Sequence, residues 1–107
     1  MTNDELEYRL LKWLQNNPNI TQRQLSSELG VSLGKINFLL KSLSQLGWIK
    51  LENFKRSDNK MGYAYLLTPA GLLEMTQITR SFLERKEVEY QQLENEIKQL
   101  RAEVKKF

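Results

Sequence analysis

Three patterns in the 107 residues predict a mainly α-helical chain with one small β-hairpin and a long C-terminal coiled-coil helix. Up to Gly47 the apolar residues recur at helical spacing, in runs parted by Asn16-Asn17-Pro18-Asn19 and by Gly30. From Trp48 to Leu67 the period falls to two, as in paired strands. After Thr68-Pro69, an N-cap followed by proline at the first helical position, no further proline occurs before Phe107, so one long helix is expected.

The first helix begins at Thr2, which with Glu5 makes a capping box, and carries Leu6, Leu10, Leu11, Trp13 and Leu14 inward for about four turns. Trp13 is expected to anchor the core. A second helix starts at Thr21, where Gln24 completes another capping box and Ile20 and Leu25 form a hydrophobic staple. Gly30 stops it, and Val31-Ser32 supplies the staple and N-cap of a third. Two helices joined so tightly must cross steeply, which is a helix-turn-helix, here running from Thr21 to a closing cap at Gly47. Leu25, Leu29, Val31, Ile36, Leu39, Leu40 and Leu43 form its inner stripe, with the small Ser26 at the crossing.

Gly34, Lys35, Asn37, Phe38, Lys41, Ser42 and Gln45 lie on the opposite face. A helix N-terminus beside Lys35 suits a phosphate. Gly34 lowers helix propensity by about 1 kcal/mol relative to Ala, a cost that close backbone approach to a partner would offset. Asn37 has the groups to pair with adenine and Phe38 the surface to lie against a thymine methyl.

The segments WIKLENF and MGYAYLL read as strands, with Ile49, Leu51 and Asn53 on one face and the tip KRSDNK between them. Its Lys55, Arg56 and Lys60 face only one acidic residue, Asp58. Directly after a helix-turn-helix, such a basic hairpin reads as a wing that reaches the backbone or minor groove of a duplex. The winged domain is expected over residues 1–68 and the long helix over 69–107. In that helix Leu72, Met75, Ile78 and Phe82 should pack on the domain. Leu83, Lys86, Tyr90, Leu93, Ile97, Leu100, Val104 and Phe107 then follow alternating steps of three and four, a heptad seam about 37 Å long with one polar interruption. The seam assigns Leu83, Tyr90, Leu93, Ile97, Leu100 and Val104 to a homodimer.

Net charge is +3, but residues 20–67 carry seven Lys or Arg against three Asp or Glu, while the flanking segments are balanced or slightly acidic. The excess therefore sits on the helix-turn-helix and wing, as an anionic partner would require. Without cysteine or histidine the chain lacks the commonest metal ligands and general base, so no enzyme, cofactor or metal site is expected. An acidic amino terminus and the lack of a long apolar run point to a cytoplasmic protein without a membrane segment.

The order of elements, with YAYLLTPAG from Tyr63 to Gly71 as strand, LT-x-x-G turn and helix start, resembles the winged-helix regulators of the MarR family. Together, YRLLKWL, VSLGKINF and NFKRSDNKMGYAYLLTPAG are similar to the small members associated with exopolysaccharide gene clusters. The resemblance implies a transcriptional regulator with its recognition helix over residues 32–47 and its wing tip over 55–60. DNA contacts then fall on Ser32, Gly34, Lys35, Asn37, Phe38, Lys41, Lys55, Arg56 and Lys60, and the target is a double-stranded inverted repeat. Longer members build a ligand crevice from several terminal helices. The single first and last helices here weigh against a small-molecule effector. A protein-protein interaction module assembled through the coiled coil is the alternative reading, and the wing charge and Lys35 discriminate against it.

Overall fold

A computed structural model describes residues 3–55 and 61–107. Within them α1 (Asn3–Asn16), α2 (Gln22–Leu29) and α3 (Leu33–Gln45) lead into β1 (Ile49–Lys55), β2 (Met61–Leu67) and α4 (Pro69–Lys106). The expected mainly helical chain with one antiparallel hairpin and a long last helix is what forms. Thr2, the expected cap of α1, lies outside the described residues.

Local chemistry sets the helix ends. Thr21 accepts a hydrogen bond from the Gln24 N–H, and the Gln24 side chain accepts from the Thr21 N–H, so the capping box closes. Gly30 ends α2 in the left-handed region at φ 67°, and the N–H of Val31 returns to the Ser26 carbonyl. Ser26 also donates its hydroxyl to the Val31 carbonyl, tying the turn from both sides. At the end of α3, Leu46 is the capping residue and Gly47, with φ 78°, sits one position further on. There the Trp48 N–H reaches the Leu43 carbonyl and the Gly47 N–H that of Ser44, a Schellman turn.

The core joins Leu6, Leu10, Leu11 and Leu14 of α1 to Ile20, to Leu25 and Leu29 of α2, to Ile36, Leu40 and Leu43 of α3, and to Ile49 of β1. Each such side chain contributes about 1.5–3 kcal/mol on leaving water. Trp13, expected among them, is only half-buried at the margin, because the four leucines already fill the inward face of α1. The hairpin pairs Ile49 with Leu67, Leu51 with Tyr65 and Asn53 with Tyr63, so one face carries all six. Lys55, expected in the tip, forms the last backbone rung opposite Met61.

A two-stranded ribbon is marginal alone. This one is held by Tyr65, whose N–H donates to the Pro18 carbonyl (2.9 Å) and whose hydroxyl accepts from Gln22 Nε2 (3.1 Å).

At the start of α4, Thr68 caps the helix by accepting from the Gly71 N–H, donates its hydroxyl to the Gly47 carbonyl, and gives its own N–H to the Trp48 carbonyl. Gly71 is buried against that carbonyl: a Cβ there would stand 1.9 Å from the Trp48 oxygen. Met75, Ile78 and Phe82 continue the packed stripe, as expected, whereas Leu72 is 44% exposed. With Gly71 occupying the position of closest approach, the next residue is turned outward.

Gly71→Ala should therefore lower stability by about 1–3 kcal/mol, since backbone rather than a flexible side chain must give way. A urea melt should show a lower midpoint at an unchanged slope. An unchanged midpoint would mean that the junction relaxes freely.

Candidate nucleic-acid interface

The outward face of α3 is built from its N-terminus. Ser32 accepts a hydrogen bond from the Lys35 N–H at 3.1 Å, which fixes the first turn. Gly34 lies in that turn, and nothing stands within 4 Å of the place its Cβ would occupy. The next turn presents Asn37 and Phe38, and the one after it Lys41, all exposed. Phe38 is 64% exposed, the Lys35 ammonium lies 5.9 Å from its ring centroid, and its carbonyl accepts from the Ser42 hydroxyl. No acidic residue occurs between Leu33 and Gln45. Ser32, the N-cap, and Gly34, Lys35, Asn37, Phe38 and Lys41 on α3 are all exposed, while Ile36, Leu40 and Leu43 on the other side of the helix are buried.

The hairpin that follows this helix is anchored at Tyr65. Backbone pairing runs out to Lys55 and Met61, while Arg56 and Lys60 lie outside the described residues. Lys50 and Glu52 pair at 3.5 Å on the solvent face of β1, an exposed ion pair of small energetic weight.

Two links missed by sequence reasoning tie α1 to α2 and to α4. Arg9 of α1 donates to the Glu28 carbonyl near the end of α2 (3.2 Å). Tyr8 of α1 stacks on Phe82 of α4, with centroids 5.1 Å apart and planes 15° from parallel. Lys12 lies over the Tyr8 ring, and Lys86 lies over Phe82 while pairing with Glu89 (3.2 Å) and Glu5 (3.8 Å). Spacing alone gives Tyr8 no partner, because its stacking residue lies at the far end of the chain. Lys86, the polar interruption of the heptad seam, is therefore engaged by its own domain. Beyond it Tyr90, Leu93, Ile97, Leu100 and Val104 are 39–72% exposed along α4, and Leu83 is also exposed. Among the described residues, no helix is long and apolar enough to cross a membrane.

Residues 3–50 match the family model described as winged helix-turn-helix DNA-binding. Among solved structures the chain is similar to MepR, a transcription regulator of the Staphylococcus aureus multidrug efflux pump MepA, with 22% identity and a TM-score of 0.63 over 99% of this chain and 76% of that one. It is also similar to a MarR/EmrR family transcriptional regulator from Acinetobacter sp. ADP1, with 25% identity and a TM-score of 0.56 over 94% and 75% of the two chains. Streptococcus pneumoniae FabT in complex with DNA gives 26% identity and a TM-score of 0.55 over 76% of this chain and 55% of that one. No curated protein matches the chain. The chain therefore carries a winged helix-turn-helix domain and shares its fold with these solved structures.

Gly34→Ala should raise thermal stability by up to about 1 kcal/mol, because the space for the methyl group is open and alanine is the better helix former. A fall in the melting temperature would mean that glycine serves the fold at this position.

Proposed function

We propose that the chain is a MarR-type regulator that binds double-stranded DNA sequence-specifically, acts in the cytoplasm as a homodimer, and works by occupying an operator without catalysis. The observation that carries this reading is the acid-free face of α3, on which Lys35, Asn37, Phe38 and Lys41 stand exposed over a rigid apolar backing. FabT, a structure similar to this chain, was determined in complex with DNA, which supports the assignment.

In this reading α3 lies in the major groove. Asn37, Phe38 and Lys41 approach base edges, and Ser32, Gly34 and Lys35 approach phosphates. The wing residues Lys55, Arg56 and Lys60 meet the backbone or minor groove, where they add affinity without reading the major-groove code. The similarity of VSLGKINF and the wing segment to small exopolysaccharide-associated regulators extends the proposal to that class of target genes.

Two copies joined along α4 bring two recognition helices to an inverted repeat with half-sites about one helical turn, or a multiple of it, apart. The exposed apolar line from Tyr90 to Val104 supports this assembly. Leu83 is exposed too and stays in the proposed seam, with Lys86, engaged by Glu5 and Phe82, as its polar interruption.

Replacing Lys55, Arg56 and Lys60 together by alanine should weaken binding to all duplexes alike. The slope of affinity against salt should fall by about one unit for each phosphate that is no longer neutralised. An unchanged slope in a titration over salt concentrations would remove the wing from the DNA. Ile97→Asp should give a monomer by sedimentation and collapse binding to an inverted repeat, because the gain from linking two sites disappears. A protein that stays dimeric, or a monomer that binds as tightly, would refute the assembly.

A further inference from the structure

The centre of the α3 outward face is an aromatic ring rather than a polar group. In a helix a side chain leans toward the N-terminus and covers the preceding turn, so the ring of Phe38 leans toward position 34. That position is a glycine with open space around it. No side chain stands at position 34, one turn before the ring, and the Lys35 ammonium lies 5.9 Å from the ring centroid. No acidic side chain stands on the helix to repel a phosphate. Phe38 thus offers an exposed apolar surface with a cation beside it.

Only one kind of group in the major groove matches an apolar surface. Base edges there offer hydrogen-bond donors and acceptors, and the single apolar feature is the methyl group on C5 of thymine. Cytosine carries hydrogen at that carbon, and 5-methylcytosine carries the same methyl group as thymine. Resting on the DNA-binding reading above, we infer that the exposed Phe38 ring recognises a pyrimidine C5-methyl group, with Lys35 holding the neighbouring phosphate. The protein thereby accepts thymine or 5-methylcytosine at that point and discriminates against uracil and unmethylated cytosine. Affinity for an operator with cytosine at this position then follows its methylation.

The test uses the intact protein and duplexes recovered with it from a random pool, in which each thymine in turn is replaced by deoxyuridine. One thymine per half-site should show a loss of about three- to tenfold on removal of its methyl, the worth of one such group returned to water. With cytosine placed at that position, C5 methylation should restore affinity by a similar factor. Both effects should vanish in Phe38→Ala and persist in part in Phe38→Leu, which keeps an apolar tip. Because Phe38 is exposed, both variants should melt as the parent does. Duplex binding in which no thymine methyl matters, or in which the methyl effect survives Phe38→Ala, overturns this inference and leaves the DNA reading intact. Failure to retain any duplex overturns the DNA reading itself.

Discussion

The close approach of Gly71 to the Trp48 carbonyl is the constraint on which the arrangement depends. Four interactions converge there: the Schellman turn at the end of α3, the N–H and hydroxyl of Thr68 on the Trp48 and Gly47 carbonyls, and the cap that Thr68 gives α4. The end of α3, the root of the hairpin and the start of the long helix therefore share one point. A side chain at position 71 would separate them. The core needs only apolar residues of suitable volume in its interior, whereas this junction needs the absence of an atom.

The rigidity of the α3 face has a second source in the turn before it. Ser26 is small enough for the helices to cross, and its hydroxyl closes on the Val31 carbonyl. Arg9 meanwhile holds the Glu28 carbonyl from α1. The exposed residues of α3 can thus be polar, cationic or aromatic without regard to folding, because Ile36, Leu40 and Leu43 secure the helix from behind. This division of labour leaves room for Gly34 and Phe38, two residues with little value to an isolated helix.

What the sequence discloses follows from the range of the interactions involved. Thr21 with Gln24, Gly30 and Ser32 act on neighbours within three or four positions, so spacing alone places α2, the turn and α3. The alternation after Trp48 marks the strand faces and is consistent with the pairing of Leu51 with Tyr65. The side chains Asn37, Phe38 and Lys41 are legible as an outward set because helical period fixes direction. Spatial partners are not. Tyr8 and Phe82, Arg9 and Glu28, and Gln22 and Tyr65 meet only after the chain has folded, and no local pattern pairs them. Trp13 and Leu72 depart from expectation because spacing assigns a side of the helix, while burial depends on what covers it.

The long helix also behaves as a lever. It is held at its root by the Gly71 packing and braced eleven residues on, about 17 Å at 1.5 Å per residue, by the Tyr8–Phe82 stack. Phe107 lies about 54 Å from the same root. A shift at the brace is therefore magnified about threefold at the tip, in the ratio of the two arms. Conversely, a displacement imposed on the tip reaches the winged domain reduced by that factor but with its force increased. Whatever grips the distal turns of this helix has mechanical advantage over the aromatic brace.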